Sequence, residues 1–184
     1  MKVPKILRIC IDPGHGGKDS GAVGTSPFYL EEKEFNLILA LLLEQKLKAL
    51  GYRVLMTRRK DRHLSLISRA SFANRFSADL FVSIHANSAA VPEVTGMETF
   101  HFPGSEKGRK FGTKILESML QEFPDHKKRG VKEADFTVLR KTRMPAVLVE
   151  SEFLSNPQKL QFLADPQNQE SLASAIARGI DQAF

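Results

Sequence analysis

The chain has 184 residues, 42% hydrophobic and 26% charged, with a formal net charge of +6 and a pI near 9.5. That length suits one domain with a sizeable core, and the composition is ordinary for a globular protein. The single cysteine, Cys10, excludes an intramolecular disulfide and a cysteine-based zinc site, so any metal must be held by histidines and carboxylates.

In chain order, residues 6–12 read as a core strand, with Cys10 as a small hydrophobe, leading into the glycine-rich loop D-P-G-H-G-G-K-D-S-G-A. Residues 32–50 read as a helix, because Phe35, Leu39, Leu42, Leu43, Leu47 and Leu50 fall at helical spacing and Gly51 supplies a stop. A strand at 52–57 precedes a helix at 65–76 capped by Ser65. Residues 79–85 form a strongly apolar strand, D-L-F-V-S-I-H, and residues 96–102 a fourth. A helix over 107–123 is broken by Pro124, and 136–139 and 146–150 read as two more strands. A helix over 171–184 closes the chain, with Leu172, Ile176 and Ile180 recurring every fourth residue and Ser171 as its cap.

Strands separated by helices predict an α/β fold: one domain over residues 1–184, with a mostly parallel central sheet of about six strands and helices on both faces. The longest apolar run, residues 37–43, is far too short to span a membrane. Residues 1–4 lead straight into the first strand without the apolar core of a secretory signal. Removal of a signal and export by another route both stay open.

Basic residues cluster at Arg58-Arg59-Lys60, at Lys127-Lys128-Arg129 and around Lys141. A basic surface attracts polyanions. Nucleic acid is not expected, since aromatic-rich RNA-binding patterns and cysteine-based finger spacings are missing. Anionic wall polymers and plain solubility stay open.

In α/β sheets, function gathers at the carboxyl ends of strands. That rule selects His15 after the first strand, His85 ending the third and Glu150 ending P-A-V-L-V-E. Each has a plain alternative: His15 as an exposed turn residue, His85 as a core histidine bonded to a carbonyl, Glu150 as the ion-pair partner of Arg140 or Arg143. Glu32 starts the first helix, where acids suit the helix dipole. It also shares a face with Asn36, Leu39 and Leu43, at the end of the buried stripe. Together, two histidines and one glutamate make an open catalytic zinc site, and a second glutamate would be the base. The H-E-x-x-H helix of a common zinc-peptidase class is absent.

These residues sit in motifs that resemble the Amidase_3 type of zinc N-acetylmuramoyl-L-alanine amidases. The resemblance runs through nearly the whole chain. I-D-P-G-H-G-G-K-D-S-G-A-V-G, E-K-E-F-N-L and G-Y-R-V-L-M-T-R come first. The S-L-x-x-R-A-x-x-A-N helix, D-L-F-V-S-I-H-A-N-S, G-M-E-T-F, R-G-V-K-E-A-D-F-T-V-L-R and M-P-A-V-L-V-E-S-E-F-L-S-N-P follow.

The resemblance implies a single zinc ion on His15, Glu32 and His85, and Glu150 as catalytic acid–base. It implies peptidoglycan as substrate, a cell-envelope location and a monomer; a phage lysin released from the cytoplasm is a further possibility. Asp12, Asp19 or Asn87 would orient the histidines. The short stretch between Phe102 and Ser105 leaves no room for the regulatory helix of some relatives. Glu152 departs from the pattern, standing where the family usually has a small residue, and would bring another carboxylate close to Glu150. The rival readings are a non-catalytic wall-binding module and another α/β zinc peptidase.

Overall fold

The computed structural model describes residues 6–184; the reading of residues 1–4 lies outside them. Among the described residues, six strands form the central sheet: β1 (Arg8–Pro13), β4 (Arg53–Met56), β5 (Leu80–Asn87), β6 (Met97–His101), β7 (Lys128–Glu133) and β8 (Ala146–Phe153). A two-residue pair, β2 (Val23–Gly24) with β3 (Leu30–Glu31), lies apart from them. The sheet order is β4-β1-β5-β8-β6-β7, and every pairing is parallel except β6 with β8. The helices are α1 (Glu32–Ala49), α2 (Leu66–Phe76), α3 (Glu106–Glu122), α4 (Thr137–Lys141), α5 (Pro157–Ala164) and α6 (Pro166–Ala183). The expected single α/β domain with helices on both faces is what forms.

Alternation along the strands builds two cores. Ile9, Ile11, Leu80, Val82, Ile84, Val147 and Val149 face one side, against Phe35, Leu39, Leu43 and Leu47 of α1 and the apolar stripes of α3 and α6. Cys10, Phe81, Ala146 and Leu148 face the other, against Ala73 of α2 and Val138 and Leu139 of α4. Each fully buried leucine or phenylalanine contributes about 1.5–3 kcal/mol. By the same alternation Asp12, Ser83, His85 and Glu150 belong to the α2–α4 side.

Several expectations need correction. Residues 136–139 are not a strand; they lie in α4 and its N-terminal flank. A short apolar run fits either state, and one helical turn puts Val138 and Leu139 together into the second core. Strand β7 was not foreseen, because K-R-G-V-K-E lacks an apolar stripe; it is an edge strand, paired only with β6. Helix α5 was also missed, although Asn156 caps it and Pro157 opens it. The last helix starts at Pro166 with Asp165 as cap, so Ser171 lies inside it. Ser65 does cap α2, accepting from the Ser68 N–H at 3.2 Å.

Candidate active site

The glycine-rich loop after β1 carries His15 in a left-handed conformation, φ 58°, that side chains with a Cβ rarely adopt. Gly14 is required by close approach: a Cβ there would lie 2.2 Å from Cε1 of His85. Glu32, only 4% exposed, is the first residue of α1, which packs on the opposite face of the sheet and brings its N-terminus over the carboxyl edge. His85 lies near the end of β5.

The three groups converge. Glu32 Oε2 lies 3.1 Å from His15 Nε2, and Glu32 Oε1 lies 2.8 Å from His85 Nδ1. The histidine rings meet edge to face, 5.1 Å between centroids. One ligand atom from each residue lies within 4.8 Å of the others, a group able to hold a metal ion. The donor set fits the open His/Glu/His zinc arrangement.

The outer ring nitrogens are engaged as such a site requires. His15 Nδ1 lies 2.9 Å from Asp19 Oδ1. His85 Nε2 lies 3.2 Å from Ser83 Oγ, which donates to Asp12 Oδ2 at 2.9 Å. Of the expected orienting residues, Asp19 acts directly and Asp12 acts through Ser83. Asn87 does not reach either histidine and donates to Glu98 instead. Glu32 also accepts from the Ala22 N–H at 2.9 Å and from Asn36 Nδ2 at 3.2 Å, contacts that hold its carboxylate independently of the histidines.

Electrostatics follow this geometry. Burial works against the ionised form of Glu32, but hydrogen bonds to His15 and His85 and their charges outweigh it and hold the carboxyl far below its usual range. Burial likewise opposes a charged His15, yet Glu32 and then Asp19 pull its pKa above the ordinary histidine value.

Glu150 is the register partner of His85 across β8 and β5. Its Oε2 is buried with no hydrogen-bond partner among the described residues, and Arg140 pairs with Asp135 instead, so the ion-pair alternative for Glu150 fails with that arginine. Burial first, then the negative charges of Glu32 and Glu98, push its pKa well above the carboxylate range. Glu152 is not among those neighbours. It accepts from the Gly96 N–H at 2.7 Å and meets His126 Nδ1 at 2.9 Å. The cause is a bulge: β8 takes three steps from Glu150 to Phe153 while β5 takes two from His85 to Asn87. Glu98, which sequence reasoning did not single out, is the register partner of Glu150 on β6 and is held by Asn87, Arg129 and Lys132.

His15, His85 and Glu150 open into one cleft of about 630 Å³, walled by Leu64 and Leu66 on one side and Phe136 and Val138 on the other. The turn from Phe102 to Ser105 is closed by a 3.0 Å backbone hydrogen bond and leads directly into α3. The first basic cluster is split: Arg58 is 1% exposed, whereas Arg59 and Lys60 are exposed, with Arg59 paired to Glu44.

A carboxyl-edge cleft with a His/Glu/His cluster beside a half-buried glutamate, one oxygen of which has no hydrogen-bond partner among the described residues, has the layout of a hydrolytic enzyme of the α/β class. A family model, Amidase_3, described as N-acetylmuramoyl-L-alanine amidase, matches residues 9–182. The chain belongs to that family, whose members are generally zinc-dependent. It is 36% identical over 181 residues to the sporulation-specific N-acetylmuramoyl-L-alanine amidase of Bacillus subtilis (strain 168), covering 97% of this chain and 69% of that one. Two solved structures superpose with TM-scores of 0.89: AmiC2 of Nostoc punctiforme (37% identity, 96% of each chain) and the catalytic domain of CwlV from Bacillus (Paenibacillus) polymyxa var. colistinus (38%, 96% of this chain and 97% of that one). Both are N-acetylmuramoyl-L-alanine amidases.

Proposed function

We propose that this chain hydrolyses the amide between N-acetylmuramic acid and the L-alanine of the stem peptide in bacterial peptidoglycan. His15, Glu32 and His85 hold one zinc ion, and Glu150 is the acid–base. The observation that carries this reading is Glu150: half-buried, in register with His85, lining the same cleft, with Oε2 buried and without a hydrogen-bond partner among the described residues. Burying a carboxylate without a partner is costly and is tolerated where chemistry uses it.

When bound there, zinc supplies Lewis acidity for amide hydrolysis. Glu150 takes a proton from the attacking water and returns one to the departing L-alanine nitrogen, a double role suited to a carboxyl whose pKa is raised by burial and by the charges of Glu32 and Glu98. Asp19 and the Asp12–Ser83 pair hold the histidine rings in place. The cleft volume lies in the range of sites that bury a small ligand, and its walls are largely apolar. Convergence of all four groups favours catalysis over a wall-binding module. The net charge of +6 favours approach to an anionic wall, and we place the reaction in the cell envelope, where the polymer lies.

Digestion of purified peptidoglycan tests the bond. Stem peptides with a new α-amino group on L-alanine should be released, glycan strands should stay intact and no reducing sugar should appear. A chelator should stop release and zinc should restore it. Shortened glycans or peptides cut within the stem, seen by mass spectrometry, would sink the assignment.

A further inference from the structure

Arg58 is a buried guanidinium that the proposed chemistry does not use. It stands two residues beyond the end of β4, is 1% exposed and forms no ion pair among the described residues. Nη1 is buried without a partner there. Its hydrogen bonds all go to main-chain carbonyls. Nε donates to Pro13 O at 3.0 Å, and Nη2 donates to Gly14 O and to Lys33 O, both at 2.8 Å. Gly14 immediately precedes His15, and Lys33 immediately follows Glu32. One side chain therefore ties together the two backbone segments that present these groups.

Arg69 differs in both respects. It has a counter-charge, Asp12 at 2.9 Å, and it holds only the first segment, through Pro13 O and His15 O. The loop lies directly on Arg58: a Cβ on Gly16 would come within 3.1 Å of Arg58 Nε. His15 sits at φ 58°, a conformation that needs its surroundings to hold it. A buried cation without an ion-pair partner in contact opposes folding: Asp12 and Asp61 attract Arg58 only through space, and burial, with Arg69 nearby, outweighs them and brings its pKa down to about 10. Such a group is a poor device for stability alone.

We propose that Arg58 is a positioning residue, a clamp on three carbonyls that sets the spacing between His15 and Glu32 and so the affinity of the site for its metal. The clamp rests on the His15/Glu32/His85 metal reading above. Electrostatics and positioning predict opposite signs. A guanidinium repels a divalent cation, so removing the charge alone would tighten metal binding. Removing the clamp loosens the ligand set and weakens it.

The test measures zinc affinity by chelator competition on folded protein, for wild type, Arg58→Met, Arg58→Lys and Leu116→Ala. Leu116 is a buried α3 residue away from both ligand segments. Thermal melting of the metal-free proteins is read in parallel. Arg58→Met should bind zinc roughly 10–100-fold more weakly, the range for losing an orienting partner. Arg58→Lys keeps the charge but not the fork, so it should fall between; it also carries the test if Arg58→Met does not fold. Leu116→Ala should melt lower yet bind zinc as wild type does, which separates positioning from general destabilisation. Arg58 variants that bind zinc as tightly as wild type, or more tightly, overturn the clamp alone. A wild-type protein that binds no zinc overturns the metal reading and the clamp with it.

Discussion

His85 and Glu150 face each other in register on adjacent parallel strands, so a candidate metal ligand and a half-buried carboxylate with one partnerless buried oxygen share one edge of the sheet. The strand spacing puts their backbones about 4.8 Å apart. Glu98 lies in register on the far side of Glu150, on β6.

The first prediction concerns Glu150. Glu150→Gln keeps the size of the side chain but cannot take a proton. It should fold and hold zinc, yet lose roughly two to four orders of magnitude in turnover. Near-normal rates in a peptide-release assay would move the acid–base role to another group.

His85→Ala removes one of the three proposed ligands and leaves Glu32 with a single histidine. The variant should lose most of its zinc while the wild type holds about one ion per chain. Elemental analysis after dialysis decides it, and full retention would strike His85 from the ligand set.

The hydrogen bonds to the histidines sort the neighbouring residues. Asp19→Ala strips the partner of His15 Nδ1 and should weaken zinc binding roughly 10-fold or more. Asn87→Ala should leave zinc affinity unchanged, because its side chain serves Glu98. Equal losses in the two variants would contradict the assignment of Asp19.

Away from the site, Glu44 gives a pH-dependent term. It is 4% exposed and takes hydrogen bonds from Arg59 at 2.7 and 2.8 Å, with Lys48 at 2.8 Å. Burial alone would raise its pKa, but these cations outweigh burial and hold it below the usual carboxylate range. The unfolded chain then binds the proton more tightly than the folded one. The stabilisation is complete above the unfolded value, about pH 4.3, and is lost as the pH falls through the folded pKa. Glu44→Gln should melt lower than wild type at about pH 7, with the gap narrowing below about pH 4. A gap that does not change with pH would assign the effect to packing.

The sequence by itself determined much of this protein. Helical spacing of Phe35, Leu39, Leu43 and Leu47 and the apolar runs of β1, β5 and β8 report burial directly, because a buried face must be apolar at the period of its element. The strand-end rule picked out His15, His85 and Glu150, and Glu32 was marked by its place at the end of the buried stripe of the first helix and by the family resemblance. Edge strand β7 and helix α4 were illegible for the converse reason. β7 is stabilised by pairing with β6 rather than by an apolar pattern, and a four-residue apolar run fits strand or helix alike until its neighbours are known.

Only the tertiary structure decided which charges meet. Glu98 and Glu150 are 52 residues apart in sequence (150 − 98), and antiparallel pairing makes them neighbours. Glu152 is two residues from Glu150, and a bulge sends it to Gly96 and His126. Arg58 sits in a basic run that reads as surface, yet it is buried against the carbonyls beside two candidate ligands. Electrostatic partnership depends on distance in space, and register, bulges and burial set that distance without leaving a periodic mark on the chain.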